Sequence, residues 1–312
     1  MAEEPQTITL PTVKVRRMLE ELSCKFTCFD WSVDKQHIVS STESGTLIIW
    51  NAYRNKKEKT ILMPNNLVLT CAYSPSGNIV ACGGSDNKVN VINILSSVES
   101  TSSEVHNVGT HLSFVSCCSF PNSDHQILTG SGDASAVLWD IESGQMIQSF
   151  HSHVKDILAI DISSSEIGNI FISGGCDKKV LLWDMRAGQS VKSFVGHLAD
   201  INCVKYHPSG DIIASGSDDG TCRMYDLRAD KEIALYSENS IVSCIESIDF
   251  SLSGRLFFAG CTGHLIRVWD NLTREKVRVL QKHRNRVTTV KTSPDGTSLA
   301  SASWDGTLCV WA

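Results

Sequence analysis

The chain has 312 residues, a formal net charge of −6 and a pI near 5.9. It lacks the cationic surplus of a nucleic-acid-binding protein, and its short basic run Arg54-Asn55-Lys56-Lys57-Glu58-Lys59 reads as a solvated loop. None of its 12 cysteines forms a C-x-x-C pair, and Cys71, Cys82, Cys203 and Cys309 sit inside apolar runs, which points to free thiols in a reducing compartment rather than to disulfides or a metal. No stretch has the apolar length of a membrane span, and the opening Met1-Ala2-Glu3-Glu4-Pro5 is acidic rather than signal-like. A cytoplasmic protein is expected, reaching the inner face of the plasma membrane only through partners.

Residues 1–12, with Pro5 and Pro11 and no periodicity, read as a short flexible lead, and residues 13–312 as one domain. Val13-Lys14-Val15-Arg16-Arg17-Met18-Leu19 alternates as a strand does. From there a frame recurs: Ser or Thr, Asp four residues later, Trp ten residues later. It is complete at Thr129/Asp133/Trp139, Ser173/Asp177/Trp183 and Ser301/Asp305/Trp311, and nearly so at Ser215/Asp219 with Tyr225. Weaker copies start at Ser40 (Ser44, Trp50), Cys82 (Asp86, Ile92) and Ala259 (Gly263, Trp269). The seven anchors are therefore separated by 42, 47, 44, 42, 44 and 42 residues. The longest interval holds the polar insertion Ser96 to Ser103, read as a surface loop. Pro75, Pro208 and Pro294 each open a Pro-Ser-Gly or Pro-Asp-Gly turn between strands. His111, His197 and His283 precede their anchors by 18 residues and His153 by 20, whereas the first repeat has Leu22 at that place, so its polar chain is expected to be broken. The second repeat has neither His nor Trp, and the sixth has no His.

A repeat of about 40 to 45 residues ending in Trp-Asp resembles the WD40 blade, a radial four-stranded sheet. Seven copies imply an all-β, seven-bladed WD40 β-propeller. Because the chain ends on the third strand of the last blade, the strand at residues 13–19 is expected to supply the fourth and close the ring. The resemblance implies a buried hydrogen-bond chain in which Asp orients His, His meets Ser or Thr, and the Trp indole meets the same hydroxyl. That assigns His111, Thr129, Asp133 and Trp139, His153, Ser173, Asp177 and Trp183, His197, Ser215 and Asp219, and His283, Ser301, Asp305 and Trp311 to the scaffold. Ser-His-Asp sets spent in this way are not hydrolase triads. No Gly-rich phosphate loop precedes a helix. No catalytic residue, cofactor or metal is expected.

More specific runs lie outside that frame. Ser215-Gly216-Ser217-Asp218-Asp219-Gly220 and its continuation to Asp230, Cys71-Ala72-Tyr73-Ser74-Pro75-Ser76-Gly77, Phe250-Ser251-Leu252-Ser253-Gly254-Arg255-Leu256 and Ser303-Trp304-Asp305-Gly306 resemble heterotrimeric G-protein beta subunits, with likeness from about Val13 to Ala312. Pro121-Asn122-Ser123-Asp124, the run 165–169 and Gly175-Cys176-Asp177-Lys178-Lys179 resemble the divergent subclass that pairs with regulators of G-protein signalling (RGS proteins). The resemblance implies a non-enzymatic signalling adaptor whose partners are a G-protein alpha subunit and a gamma subunit or the gamma-like domain of an RGS protein. It places the alpha-subunit face on Lys25, Lys57, Leu67, Phe114, Asp156, Leu158, Asp200, Asn202, Asp218 and Trp304. Leu67 stands where the family has Trp, Ser85 where it has Leu, and Thr27 where it has a larger side chain, so weaker alpha-subunit binding on the first two blades is expected. The family also opens with a long coiled-coil helix, whereas only about a dozen residues precede the closing strand in this sequence. The alternative readings are a general WD40 scaffold and a substrate receptor of cullin-RING ubiquitin ligases, the latter from Trp183-Asp184-Met185-Arg186, a tetrapeptide that beta subunits share.

Overall fold

Each frame of the sequence becomes the middle of a blade. In the fourth, β14 (Ile157–Ile162), β15 (Ile170–Gly175), β16 (Lys179–Asp184) and β17 (Gln189–Val195) pair antiparallel in that order. The two middle strands are buried on both faces between neighbouring blades, which is why they read as continuous apolar runs. The outermost strand alternates exposed residues with partly or fully buried ones. The computed structural model describes residues 13–21, 23–64, 67–94, 105–163, 169–238 and 243–312, and repeats this arrangement as seven four-stranded sheets. The lead at 1–12, Leu22, the insertion from Ser96 to Ser103 and most of the run 165–169 lie outside the described residues. Among the described residues no helix is long and apolar enough to cross a membrane.

The first strand of every blade packs on the first strand of the next, and the strand of the seventh, β26 (Val287–Thr292), packs on that of the first, β2 (Phe26–Trp31), so the ring is closed around a channel. Closure is made by β1 (Val15–Glu20), which pairs with β28 (Thr307–Trp311) at the outer edge of the last blade. The strand starts two residues later than its alternation suggests and bulges between Val15 and Arg17. Lys14 and Ala312 exchange two backbone hydrogen bonds of 3.1 Å beyond it. The core is divided among the seams: Leu128, Ala136 and Phe150 of blade three meet Ile157, Phe171 and Trp183 of blade four, with Trp183 stacked on Phe171 at 5.6 Å.

The polar chains form in blades three, four, five and seven. Thr129, Ser173, Ser215 and Ser301 take a hydrogen bond of 2.7–2.8 Å with the Nε2 of His111, His153, His197 and His283, and Asp133, Asp177, Asp219 and Asp305 meet the Nδ1 at 2.9–3.2 Å. The indoles of Trp139, Trp183 and Trp311 donate to the same hydroxyls at 2.8–2.9 Å. In blade five Tyr225 replaces the Trp and its buried hydroxyl makes no hydrogen bond of good geometry, so that chain stops at Ser215. Blade one keeps more than its sequence promises, because Trp50 still donates to Ser40 at 2.8 Å. Burial holds His111 and His197 below the ordinary imidazole pKa. Burial also opposes ionisation of Asp219, but bonds from Thr221, the Leu198 amide and His197 outweigh it and bring the carboxyl down to about 2.

One turn position is left-handed in all seven blades. Gly45, Asn87, Ala134, Lys178, Gly220, His264 and Gly306 have φ between 66° and 79°, although only three of them are glycine.

Candidate protein-binding rim of the channel

A backbone hydrogen bond recurs once per blade on one face of the ring. The amides of Glu43, Ser85, Gly132, Cys176, Asp218, Thr262 and Trp304 donate to the carbonyls of Lys25, Leu67, Phe114, Asp156, Asp200, Cys244 and Arg286 at 2.9–3.2 Å. Each bond ties the loop entering a first strand to the turn between the second and third strands, and so brings two side chains per blade to the channel rim. The accepting residue lies three after the His position of the repeat, and the donating residue three after the Ser/Thr anchor. Two residues beyond each accepting residue the ladder slips, leaving Thr27, Leu69, Ser116, Leu158, Asn202, Glu246 and Thr288 as bulges. Four of these staple the seam, donating to the next blade: Thr27 to Val68 O, Ser116 to Ile157 O, Asn202 to Ile245 O and Thr288 to Phe26 O, at 2.5–3.2 Å.

The structure thus gathers nine of the ten residues that the sequence nominated. Lys25, Leu67, Phe114, Asp156 and Asp200 are accepting residues, Asp218 and Trp304 are donating residues, and Leu158 and Asn202 are bulges. Lys57 stands apart on the outer strand of blade one, β5 (Lys56–Leu62), ion-paired with Glu21 and 5.4 Å from the Trp50 ring. Sequence reasoning missed Glu43, Cys176, Cys244, Glu246 and Arg286. The three-residue offsets would have found all but Glu246, which follows Cys244 by two.

The rim is divided by charge. Where blades seven and one meet, the Trp304 ring faces two cations, Lys25 at 4.9 Å and Arg286 at 4.5 Å. Glu43 pairs with Lys25 at 2.8 Å and Glu246 with Arg286, fixing both. An open cleft of about 500 Å³ runs past Ser23, Lys25, Glu43 and Trp304. Blades four to six are acidic. Burial, then the neighbouring carboxylates Asp200 and Asp156, push the Cys176 thiol up to about 12, and burial with Asp218 raises Cys244, so both stay protonated. Asn202 donates to Asp218 at 2.6 Å. Between these sectors lie the apolar Leu67 and Phe114. The Phe114 ring covers Gly132 so closely that a Cβ there would come within 2.3 Å of it, so one aromatic fills the place of two side chains. Leu67 is held at φ 67°, a left-handed conformation that costs a non-glycine residue about 1–2 kcal/mol.

Deeper in the channel, five residues after the accepting positions, Asp161, Lys205, Asp249, Lys291 and Asp30 alternate in sign around blades four to one. Lys291 meets Asp30 at 2.8 Å and Lys205 meets Asp161 at 2.6 Å. The three carboxylates also accept backbone amides of the next blade, from Tyr73, Tyr206 and Thr292, at 2.6–2.9 Å. These groups hold the seams together below the rim.

A family model described as G protein beta WD-40 repeat protein matches residues 6–312. The chain belongs to that family. It is 53% identical over 313 residues to guanine nucleotide-binding protein subunit beta-5b of Danio rerio, covering 100% of this chain and 79% of that protein. It is 50% identical over 300 residues to subunit beta-2 of Caenorhabditis elegans, covering 96% and 81%. Identity to the beta subunit of Arabidopsis thaliana is 40% over 315 residues, covering 95% and 82%. The likeness to a beta-5 subunit agrees with the subclass suggested by the run around Cys176, and the WD-repeat propeller and its place among G-protein signalling transducers follow from the family.

Proposed function

We propose that this propeller is a non-enzymatic signalling adaptor that binds a G-protein alpha subunit on the channel rim, with residues 13–312 acting as one unit. Trp304 carries the reading. It is a large aromatic that the repeat does not need, partly exposed, and held between Lys25 and Arg286. Rigid aromatics of this kind anchor interfaces. The acidic sector of Asp156, Asp200 and Asp218 offers a second contact for a cationic partner surface, and Phe114 and Leu158 supply apolar area between the two. Leu67 and Ser85 present less surface than the Trp and Leu that the family resemblance places there, and Lys57 offers a separate contact on the outer edge of blade one. A gamma subunit or the gamma-like domain of an RGS protein is the proposed second partner, and any membrane association runs through these partners.

The test is binding of the full chain to an immobilised GDP-bound alpha subunit. Trp304→Ala is expected to weaken binding about 30-fold, as an interface anchor does, and Asp200→Lys to weaken it further. Leu67→Trp combined with Ser85→Leu is expected to strengthen it. Unchanged binding in all three variants would overturn the reading.

A further inference from the structure

Four aliphatic side chains stand on the outer part of the same face, over blades three to five. Leu112, Val154 and Leu198 each follow the His of a polar chain and are 93%, 78% and 76% exposed, and Val195, at the end of an outer strand, is 66% exposed. Their placement is built in. The carboxylate that orients each His also accepts the amide of the next residue, at 3.0 Å for Leu112, 3.3 Å for Val154 and 2.9 Å for Leu198, so these three side chains are presented by pinned backbone. The same position holds Ser23 in blade one and Arg284 in blade seven, so the repeat itself does not ask for an apolar residue. Three exposed lysines lie along this arc. Lys155 follows Val154, Lys178 donates to the Leu198 carbonyl at 2.8 Å, and Lys179 pairs in the ladder with Val195. Among the described residues none of the three has a carboxylate partner, on a chain whose net charge is −6. On the channel side the arc is bounded by Asp156, Asp200 and Asp218.

We propose that this arc seats an acidic amphipathic helix of a partner protein, its apolar stripe on Leu112, Val154, Val195 and Leu198 and its carboxylates on Lys155, Lys178 and Lys179. The aspartates of the rim repel such a helix and keep it outside the channel mouth. Among the described residues no strand edge is free on this face, because the sheets expose their edges to the channel and to the outer circumference, so strand addition does not fit and a helix laid across the loops does. Preformed, pinned side chains reduce the ordering cost of binding. The site shares no residue with the Trp304 sector and stands independently of the alpha-subunit reading.

The experiment uses the full chain and two labelled synthetic peptides, a helix with a Leu stripe flanked by Glu and its counterpart with Lys for Glu, followed by fluorescence anisotropy. The acidic peptide is expected to bind at least tenfold tighter than the basic one. Val154→Asp with Leu198→Asp should abolish that preference, Lys178→Glu with Lys179→Glu should reverse it, and Trp304→Ala should leave it unchanged. Thermal melts of the variants check that these exposed substitutions leave the ring folded. Equal binding of the two peptides overturns the proposal, as does loss of peptide binding in Trp304→Ala. Phosphatidylserine vesicles provide the remaining arm: capture by them that is lost in the same lysine variants, with no peptide preference, would make the surface a membrane contact and also overturn it.

Discussion

In blade four Trp183, Ser173, His153 and Asp177 are joined by bonds of 2.7–2.9 Å that run from the middle of the sheet to the loop entering it. In blade two the same places hold Ile92, Cys82, Pro64 and Asp86, and the sheet is held by apolar contacts among Val68, Cys71, Val80 and Ile92. Both sheets have four strands and equivalent registers, so the polar chain is not what makes a blade. It fixes the entering loop to the sheet. Where the chain is complete, the rim residue three positions after the His is placed by side-chain bonds as well as by backbone. In blade two the corresponding residue, Leu67, relies on backbone bonds and sits in a left-handed conformation.

The contrast is tested most strongly by truncating each blade at its anchor. Ser173→Ala strands the buried His153 and Trp183 groups and is expected to cost about 2–4 kcal/mol in urea unfolding. Cys82→Ala in blade two removes only buried apolar volume and is expected to cost about 1 kcal/mol. Equal losses would show that the two blades are held alike.

A smaller effect is expected from pH. His111 and His197 are held below the ordinary imidazole pKa of 6.5 by burial, so the unfolded chain takes up protons that the folded chain refuses. Stability is therefore lost as pH falls below about 6.5. A second decline follows below about 4, as Asp133, Asp177, Asp219 and Asp305, whose folded pKa values are depressed, begin to be protonated in the unfolded chain. A melting temperature that stays level from pH 7 to 5 would contradict the buried neutral imidazoles of His111 and His197.

The smallest effect concerns the shared turn. Ala134→Gly relieves a left-handed alanine at φ 66° and is expected to stabilise by about 0.5–1 kcal/mol, whereas Gly220→Ala at φ 78° is expected to destabilise by about 1–2 kcal/mol. Matching signs in the two melts would refute the claim that this turn has the same geometry in every blade.

The scaffold was legible because buried polar chains tolerate few residue types, so Ser, Asp, His and Trp recur at fixed offsets. Closure by the first strand was legible from the missing fourth strand of the last blade. Its two-residue offset was not, since the alternation already runs through Val13 and Lys14, ahead of the regular strand that starts at Val15. The rim was half legible. Asp200 and Trp304 stood out because the repeat does not require them, but Arg286 and Glu43 look like any loop charges until a backbone bond pairs Arg286 with Trp304 and Glu43 with Lys25. Lys57 shows the opposite limit: the resemblance nominated it together with the rim residues, and only the blade geometry separates it from them. The alternating channel charges were hidden because Asp30, Lys205 and Lys291 are each the only charged residue of their strands.

Pairing of β1 with β28 joins residues almost a full chain apart, Leu19 with Leu308. During synthesis β1 leaves the ribosome ahead of the other described strands, yet its neighbour β28 is the last of them to follow. Until Thr307–Trp311 emerges, the seventh sheet has no outer pair, and Leu19, 1% exposed in the finished ring, lacks the strand that carries its partner Leu308. Contacts of such separation form slowly. The step that completes the ring is therefore also the step at which the newborn chain is most open to binding something else.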